Sequence, residues 1–198
     1  MHLHTPRQDR TGSGLIAAAA IALAAAAALA LGASPAAAQS GGVSPGGTEG
    51  GSGGGDGGKT VAGRKAKLRN GLAIPPKKAP ARVKRVIRAA NEIAKGADYC
   101  YGGGHARFES KCYDCSGAAS YALKGGNFVS SPLPSSGYFR WGKRGKGKWI
   151  TVFTHSGHMY MKVAGLRFDT SMVPGKGPGW SDQMRSAKGF KKRHKGRF

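Results

Sequence analysis

The sequence predicts an α+β domain with two helices laid against a small antiparallel sheet. Three observations carry this reading. Apolar residues recur at helical spacing from Val83 to Ala94, a second helical pattern opens at Cys115, and from Lys148 onward the chain breaks into short strand-like runs. Helices followed by consecutive strands, without alternation of the two, is the order from which an α+β layer forms.

The N-terminal stretch lies outside that domain. Arg7 and Arg10 precede an uncharged, alanine-rich run from Leu15 to Ala33, and Ala36-Ala37-Ala38 supplies a small-x-small cleavage pattern. Residues 1–38 therefore read as a signal peptide, the mature chain starts near Gln39, and the protein is expected to be secreted or cell-wall associated. The run is long for a signal core, which is the mark of an uncleaved anchor, but alanine is only weakly apolar and the cleavage pattern is well placed. No stable membrane insertion is expected after cleavage. Residues 39–58 are nearly all Gly, Ser and Pro, too poor in apolar groups to fold, and residues 59–80 continue them as a basic linker ending at Pro75-Pro76 and Pro80. The folded domain is accordingly expected over residues 81–198.

Within it, Val83, Val86, Ile87, Ala90, Ile93 and Ala94 share one helical face, Arg82, Lys84, Arg85, Arg88 and Asn91 take the other, and Gly96 offers the stop. Asp114 is a good N-cap for the second helix, which Leu123-Lys124-Gly125 ends. A Ser/Pro/Gly-rich loop from Ser130 to Gly147 carries Tyr138, Phe139 and Trp141, aromatics expected to tuck beneath it as satellite core. Strands are expected at Lys148 to Phe153, His158 to Val163, Arg167 to Ser171 and Phe190 to His194. The middle two are joined through Ala164-Gly165, a plausible tight turn. If Val163 pairs with Leu166, Tyr160 falls opposite Asp169 and His158 lies diagonal to that carboxylate on the same face. A slip of one residue would separate them.

Cys115 falls in the first turn of the second helix, where the helix dipole and unsatisfied backbone N–H groups favour a thiolate and can hold a developing oxyanion. A lone cysteine is more often an inert core residue. This one follows a Gly-rich loop, Tyr99-Cys100-Tyr101-Gly102-Gly103-Gly104-His105, and precedes a Gly157-His158 strand start, which is the separated nucleophile and base that a cysteine hydrolase needs. Asp169 would fix the His158 tautomer and leave its other ring nitrogen for the thiol. His155, in the turn Thr154-His155-Ser156, is the rival base and His105 a more distant one; His158 enters a strand and is better held.

There are three cysteines in a chain expected to reach an oxidising compartment, an odd number that suits one disulfide and one working thiol. If Cys115 works, Cys100 and Cys112 are left to pair, closing a loop worth about 3 kcal/mol in the chain-entropy picture. The alternative, Cys112 with Cys115, is a C-x-x-C at a helix start and would make a thiol-disulfide oxidoreductase. No buried hydrophobic strand precedes it, as such a site requires. The histidines and cysteines have no zinc spacing, and no metal or cofactor is expected.

The formal net charge is +23. Between Lys59 and Arg88 there are eleven Lys or Arg and no acidic residue, and the tail from Lys188 to Arg197 is similar. In a cytosolic protein such charge would suggest nucleic acid; outside the cell it points to anionic cell-wall polymers or lipid head groups, and nucleic acid is not expected. A non-catalytic cationic binding protein is the alternative to an enzyme.

In these segments the chain resembles the NlpC-like cell-wall cysteine peptidases, a family with a compact papain-like fold. The likeness runs from the helix near Val83 to the C-terminus. It is carried by Asp114-Cys115-Ser116-Gly117 opening a helix and by the preceding aromatic-x-aromatic-Gly-Gly segment from Tyr99 to Gly103. It implies Cys115 as nucleophile, His158 as base, Asp169 as the orienting polar residue, and Tyr99 as a helper at the oxyanion site. Asp169 stands where the family often has His, Asn or Gln, and Cys100 and Cys112 are additions to the pattern. The resemblance also implies the substrate class: peptidoglycan stem peptides, commonly cut between D-glutamate and a diamino acid such as meso-diaminopimelate.

Overall fold

In a computed structural model of the chain, which describes residues 58–172 and 176–198, the amphipathic pattern beginning at Val83 forms helix α1 (Ala81–Ala94). Val83, Val86, Ile87 and Ala90 are fully buried, as the apolar stripe requires. The second pattern forms α2 (Cys115–Gly125), capped by Asp114. The two helices pack closely because the end of α2 carries no side chains: a Cβ at Gly125 or Gly126 would meet Ala89 or Val86 at 2.5 Å. Arg82 of α1 donates from Nε to the Gly126 carbonyl at 2.8 Å and from Nη2 to the Asn127 carbonyl, satisfying carbonyls that the helix end leaves open.

The strands are β3 (Lys143–Arg144), β4 (Ile150–His155), β5 (His158–Val163), β6 (Leu166–Asp169), β7 (Gly179–Ser181) and β8 (Lys191–His194). They form one antiparallel sheet in the order β3-β8-β4-β5-β6-β7. Val152, Met159, Met161, Val163 and Phe168 are buried in one core with α1 and α2. The expected α+β architecture is thus the observed one. Register at the β5–β6 turn is the expected one too: Val163 pairs with Leu166, and both turn residues take positive φ, Ala164 at 47° and Gly165 at 98°. That is the left-handed pair a two-residue hairpin needs to match strand twist. In the loop after α2, Tyr138 and Trp141 are buried as expected, while Phe139 is only half-buried.

Residues 59–80 correct the linker expectation. They carry a hairpin of β1 (Lys67–Arg69) and β2 (Leu72–Ile74), turned through Asn70-Gly71 with φ of 49° and 75°. Ala73 at its centre is buried, its N–H bonded to Asn91 Oδ1 at 3.0 Å and its carbonyl to Asn91 Nδ2 at 2.9 Å. Ala66 N–H bonds the Ala164 carbonyl at 2.8 Å, which joins the hairpin to the β5–β6 turn. The packed region therefore begins well before Ala81. Strands β3 and β7 were not expected, and β4 is displaced by two residues from the Lys148 to Phe153 expectation. The stretch expected to be a signal peptide and almost all of the Gly/Ser stretch lie outside the described residues. No helix among the described residues is long and apolar enough to cross a membrane.

The amide of Asn91 serves both backbone groups of one buried residue, so its loss leaves two polar groups unmatched. Asn91→Ala is expected to destabilise the domain by about 1–3 kcal/mol. A urea-denaturation midpoint reads this, and limited proteolysis should then cut first within residues 61–79.

Candidate active site

The cap of α2 positions Cys115. The Asp114 carboxylate accepts from the N–H of Ser116 at 2.9 Å and of Gly117 at 2.8 Å, and from the N–H of Gly102 at 3.2 Å. Among the described residues nothing accepts the N–H of Cys115, which lies in the first turn of the helix, where negative charge is attracted. His105 Nε2 lies 3.0 Å from Asp114 Oδ1, 2.9 Å from Oδ2 and 2.9 Å from Ser116 Oγ. The Gly-rich loop is thereby pinned to the start of α2. Gly117 must be glycine for this, because a Cβ there would run into the Gly103 carbonyl, and that same Gly103 carbonyl accepts the Asp114 N–H at 3.2 Å.

Cys100 and Cys112 form a disulfide across this loop, with Cα atoms 5.5 Å apart, and Cys115 is a free, part-buried cysteine. The C-x-x-C pairing of Cys112 with Cys115 is therefore not the one present, and the oxidoreductase reading loses the disulfide it needs.

His158 opens β5 and its Nε2 donates to Asp169 Oδ1 at 3.0 Å. Asp169 ends β6, is buried, and accepts also from Ser171 N at 3.1 Å, from Ser171 Oγ at 3.0 Å and from Arg185 Nη1 at 3.3 Å. Burial alone would raise the Asp169 carboxyl, but bonding to His158 and Ser171 outweighs it and holds the group at about 2. Burial likewise works against a charged His158, yet hydrogen bonds to Asp169 and to the Cys115 side chain, with the charges of both, lift it to about 9. With Nε2 committed to Asp169, Nδ1 is the ring nitrogen left for the sulfur. A protonated imidazole held against a sulfur and a carboxylate can deliver a proton to a leaving group.

Of the four residues read from sequence, Cys115, His158 and Asp169 come together. Tyr99 is half-exposed, and its phenol is pushed up by burial and then by the proximity of Cys115 and Asp114, with no hydrogen bond to either. His155 is occupied elsewhere: its Nδ1 accepts the Gly157 N–H at 3.0 Å and its ring lies 4.4 Å from that of Phe190. His105 is no distant residue but a partner of the cap, Ser116 belongs to the motif but was given no role of its own, and Ser171 and Arg185 were not singled out from the sequence. The Asp-x-Ser spacings of Asp114 with Ser116 and Asp169 with Ser171 were visible and mark local side-chain bonding. Arg185 comes from a segment with no local signal.

No protein-family model matches the chain, and no curated protein matches it. Among solved structures the chain is similar to a hypothetical invasion protein of Mycobacterium tuberculosis, with 19% identity, a TM-score of 0.42 and coverage of 57% of this chain and 61% of that one. It is also similar to the P60 domain of an antigen from M. avium subspecies paratuberculosis, at 17% identity and a TM-score of 0.39, over 57% of this chain and 93% of that one. A third is a mutated form of the resuscitation promoting factor interacting protein RipA, at 17% identity and a TM-score of 0.43, over 66% of this chain and 71% of that one. The chain thus spans less than two thirds of the first of these, 61%.

The raised His158 value has a stability consequence with a definite sign. A group lifted from 6.5 to about 9 on folding contributes stability that is fully present below pH 6.5 and lost as pH rises through about 9. Thermal midpoints of the wild type should therefore fall across that window, and the fall should be smaller in His158→Gln. Equal slopes in the two proteins would show that His158 titrates normally.

Proposed function

We propose that this chain is a secreted peptidoglycan endopeptidase that hydrolyses an amide bond in cell-wall stem peptides, D-glutamyl to diamino acid, through Cys115 and His158. The observation that supports the hydrolytic reading is the His158 imidazole bonded to the Asp169 carboxylate, with the Cys115 side chain near enough to help raise it. The polymer and the bond come from the family resemblance of the Tyr99 to Gly103 and Asp114 to Gly117 segments. The basic segments suit retention on anionic cell-wall polymers.

The Cys115 sulfur, as thiolate beside the His158 imidazolium, attacks the amide carbonyl carbon and forms a C–S bond. The oxyanion is held by the uncommitted Cys115 N–H, with the Tyr99 hydroxyl as second donor. His158 Nδ1 passes its proton to the leaving nitrogen as the C–N bond breaks, and the amine departs from a thioester. Neutral His158 then takes a proton from water, the hydroxide equivalent attacks the thioester, and the carboxylic acid leaves as Cys115 is regenerated. Asp169 keeps the ring in the orientation and tautomer that aim Nδ1 at the sulfur; Ser171 and Arg185 keep Asp169 in place.

Purified mature chain incubated with defined muropeptides should release a new amine at a single stem-peptide bond, read by mass analysis, and Cys115→Ala should release none. Asp169→Ala should lower kcat by about 10²–10⁴-fold, the range of a general acid–base contribution. Because the leaving amine needs the imidazolium, kcat/KM should fall as pH rises through about 9. Intact muropeptides after prolonged incubation, with the chain still bound to insoluble walls, would instead establish a cationic binding protein.

A further inference from the structure

We propose that the cleft between the outer face of β4 and β5 and the segment around Arg185 is a binding site for a phosphate-class anion. In direct register, Phe153 pairs with Tyr160 and with Lys192, so these three side chains share the sheet face turned away from the Val152, Met159 and Met161 core. Phe153 and Tyr160 stack with centroids 4.6 Å apart and form the floor. Lys146, Lys162, Lys192 and Arg185 join uncharged residues such as Thr151 and Met184 in lining a cavity of about 270 Å³. This lies just below the roughly 300–1,000 Å³ of small-molecule sites and suits one phosphate unit with a short substituent.

Two independent features point to an anion. Among the described residues no carboxylate lines this cavity and none pairs with Lys146, Lys162 or Lys192. Asp169, outside the lining, is committed to His158, Ser171, Arg167 and Arg185, so Arg185 has its counter-charge and the three lysines do not. Converging cations without counter-charge repel one another unless something negative sits between them. The second feature is Tyr160, which is 1% exposed and lines the cavity, and whose hydroxyl has no hydrogen-bond partner among the described residues. Burial pushes its phenol up, so it remains a donor at neutral pH. Lysines at the rim, with a buried hydroxyl beneath them that still lacks a partner, fit a multiply charged tetrahedral oxyanion, for which lysine acts as a point-charge partner. A monocarboxylate would leave most of that positive charge unmatched.

The site does not depend on the hydrolytic reading, so Cys115→Ala should bind as the wild type does. Isothermal titration of the full mature chain at low ionic strength, with inorganic phosphate, pyrophosphate and short poly(glycerol phosphate) as separate probes, should show saturable one-to-one binding. Tyr160→Phe removes only the hydroxyl, and Lys162→Gln changes an exposed rim residue; each should weaken binding by about tenfold, while Lys77→Gln, outside the cleft, should not. Tightest binding of the polymer would identify a phosphodiester chain as the occupant, and tightest binding of phosphate or pyrophosphate a free phosphate. Equal loss in all three variants, acetate binding as tightly as phosphate, or no saturation would overturn the proposal.

Discussion

One carboxylate, that of Asp114, ties together what the candidate site needs. It caps α2, takes the N–H of Gly102 from the Gly-rich loop, and engages His105 and the Ser116 hydroxyl, so loop and helix meet around Cys115. Because it serves Ser116 and Gly117, it leaves the Cys115 N–H free for another acceptor. Its own N–H is anchored on the Gly103 carbonyl, an approach possible only because residue 117 has no side chain. A helix start fixed from several directions is a firm mount for the nucleophile proposed at Cys115, and such a mount is what converts a reactive group into a positioned one.

The opposing half of the site is built by strand register. His158 begins β5 and Asp169 ends β6, and their meeting depends on the tight turn at Ala164-Gly165. The hairpin β1–β2 stands against this turn through the Ala66 to Ala164 hydrogen bond. The segment expected to be linker thus supports the register that brings imidazole and carboxylate together. Burial taken alone disfavours the charged forms of both His158 and Asp169; their mutual bond, with Ser171 on one side and Cys115 on the other, reverses the balance for each.

Much of this was legible in the sequence because it rests on short-range chemistry. The cap at Asp114, the apolar stripe of α1 and the β5–β6 pairing each follow from residues within a few positions of one another. The hairpin was legible as well, since Asn70-Gly71 between apolar-containing runs is a strong turn signal, but the density of Lys and Arg around it reads as solvated linker. What was not legible comes from distant parts of the chain. His105 reaches the cap only because the Cys100–Cys112 disulfide and the Gly103–Gly117 contact fold its loop back. Arg185 reaches Asp169 across 16 residues with no periodic signal between them. Tyr160 follows the alternation of β5, yet nothing in its position says that its hydroxyl lacks a partner.

The proposed hydrolysis stands on Cys115 and His158 acting as one electrostatic unit. Imidazole resonances of His158, followed by NMR across the pH range in the wild type and in Cys115→Ala, test it most directly. Titration near 9 in the wild type, and at a clearly lower pH once the sulfur is gone, is the expected result. Identical curves in the two proteins, or a wild-type value near that of free histidine, would contradict it.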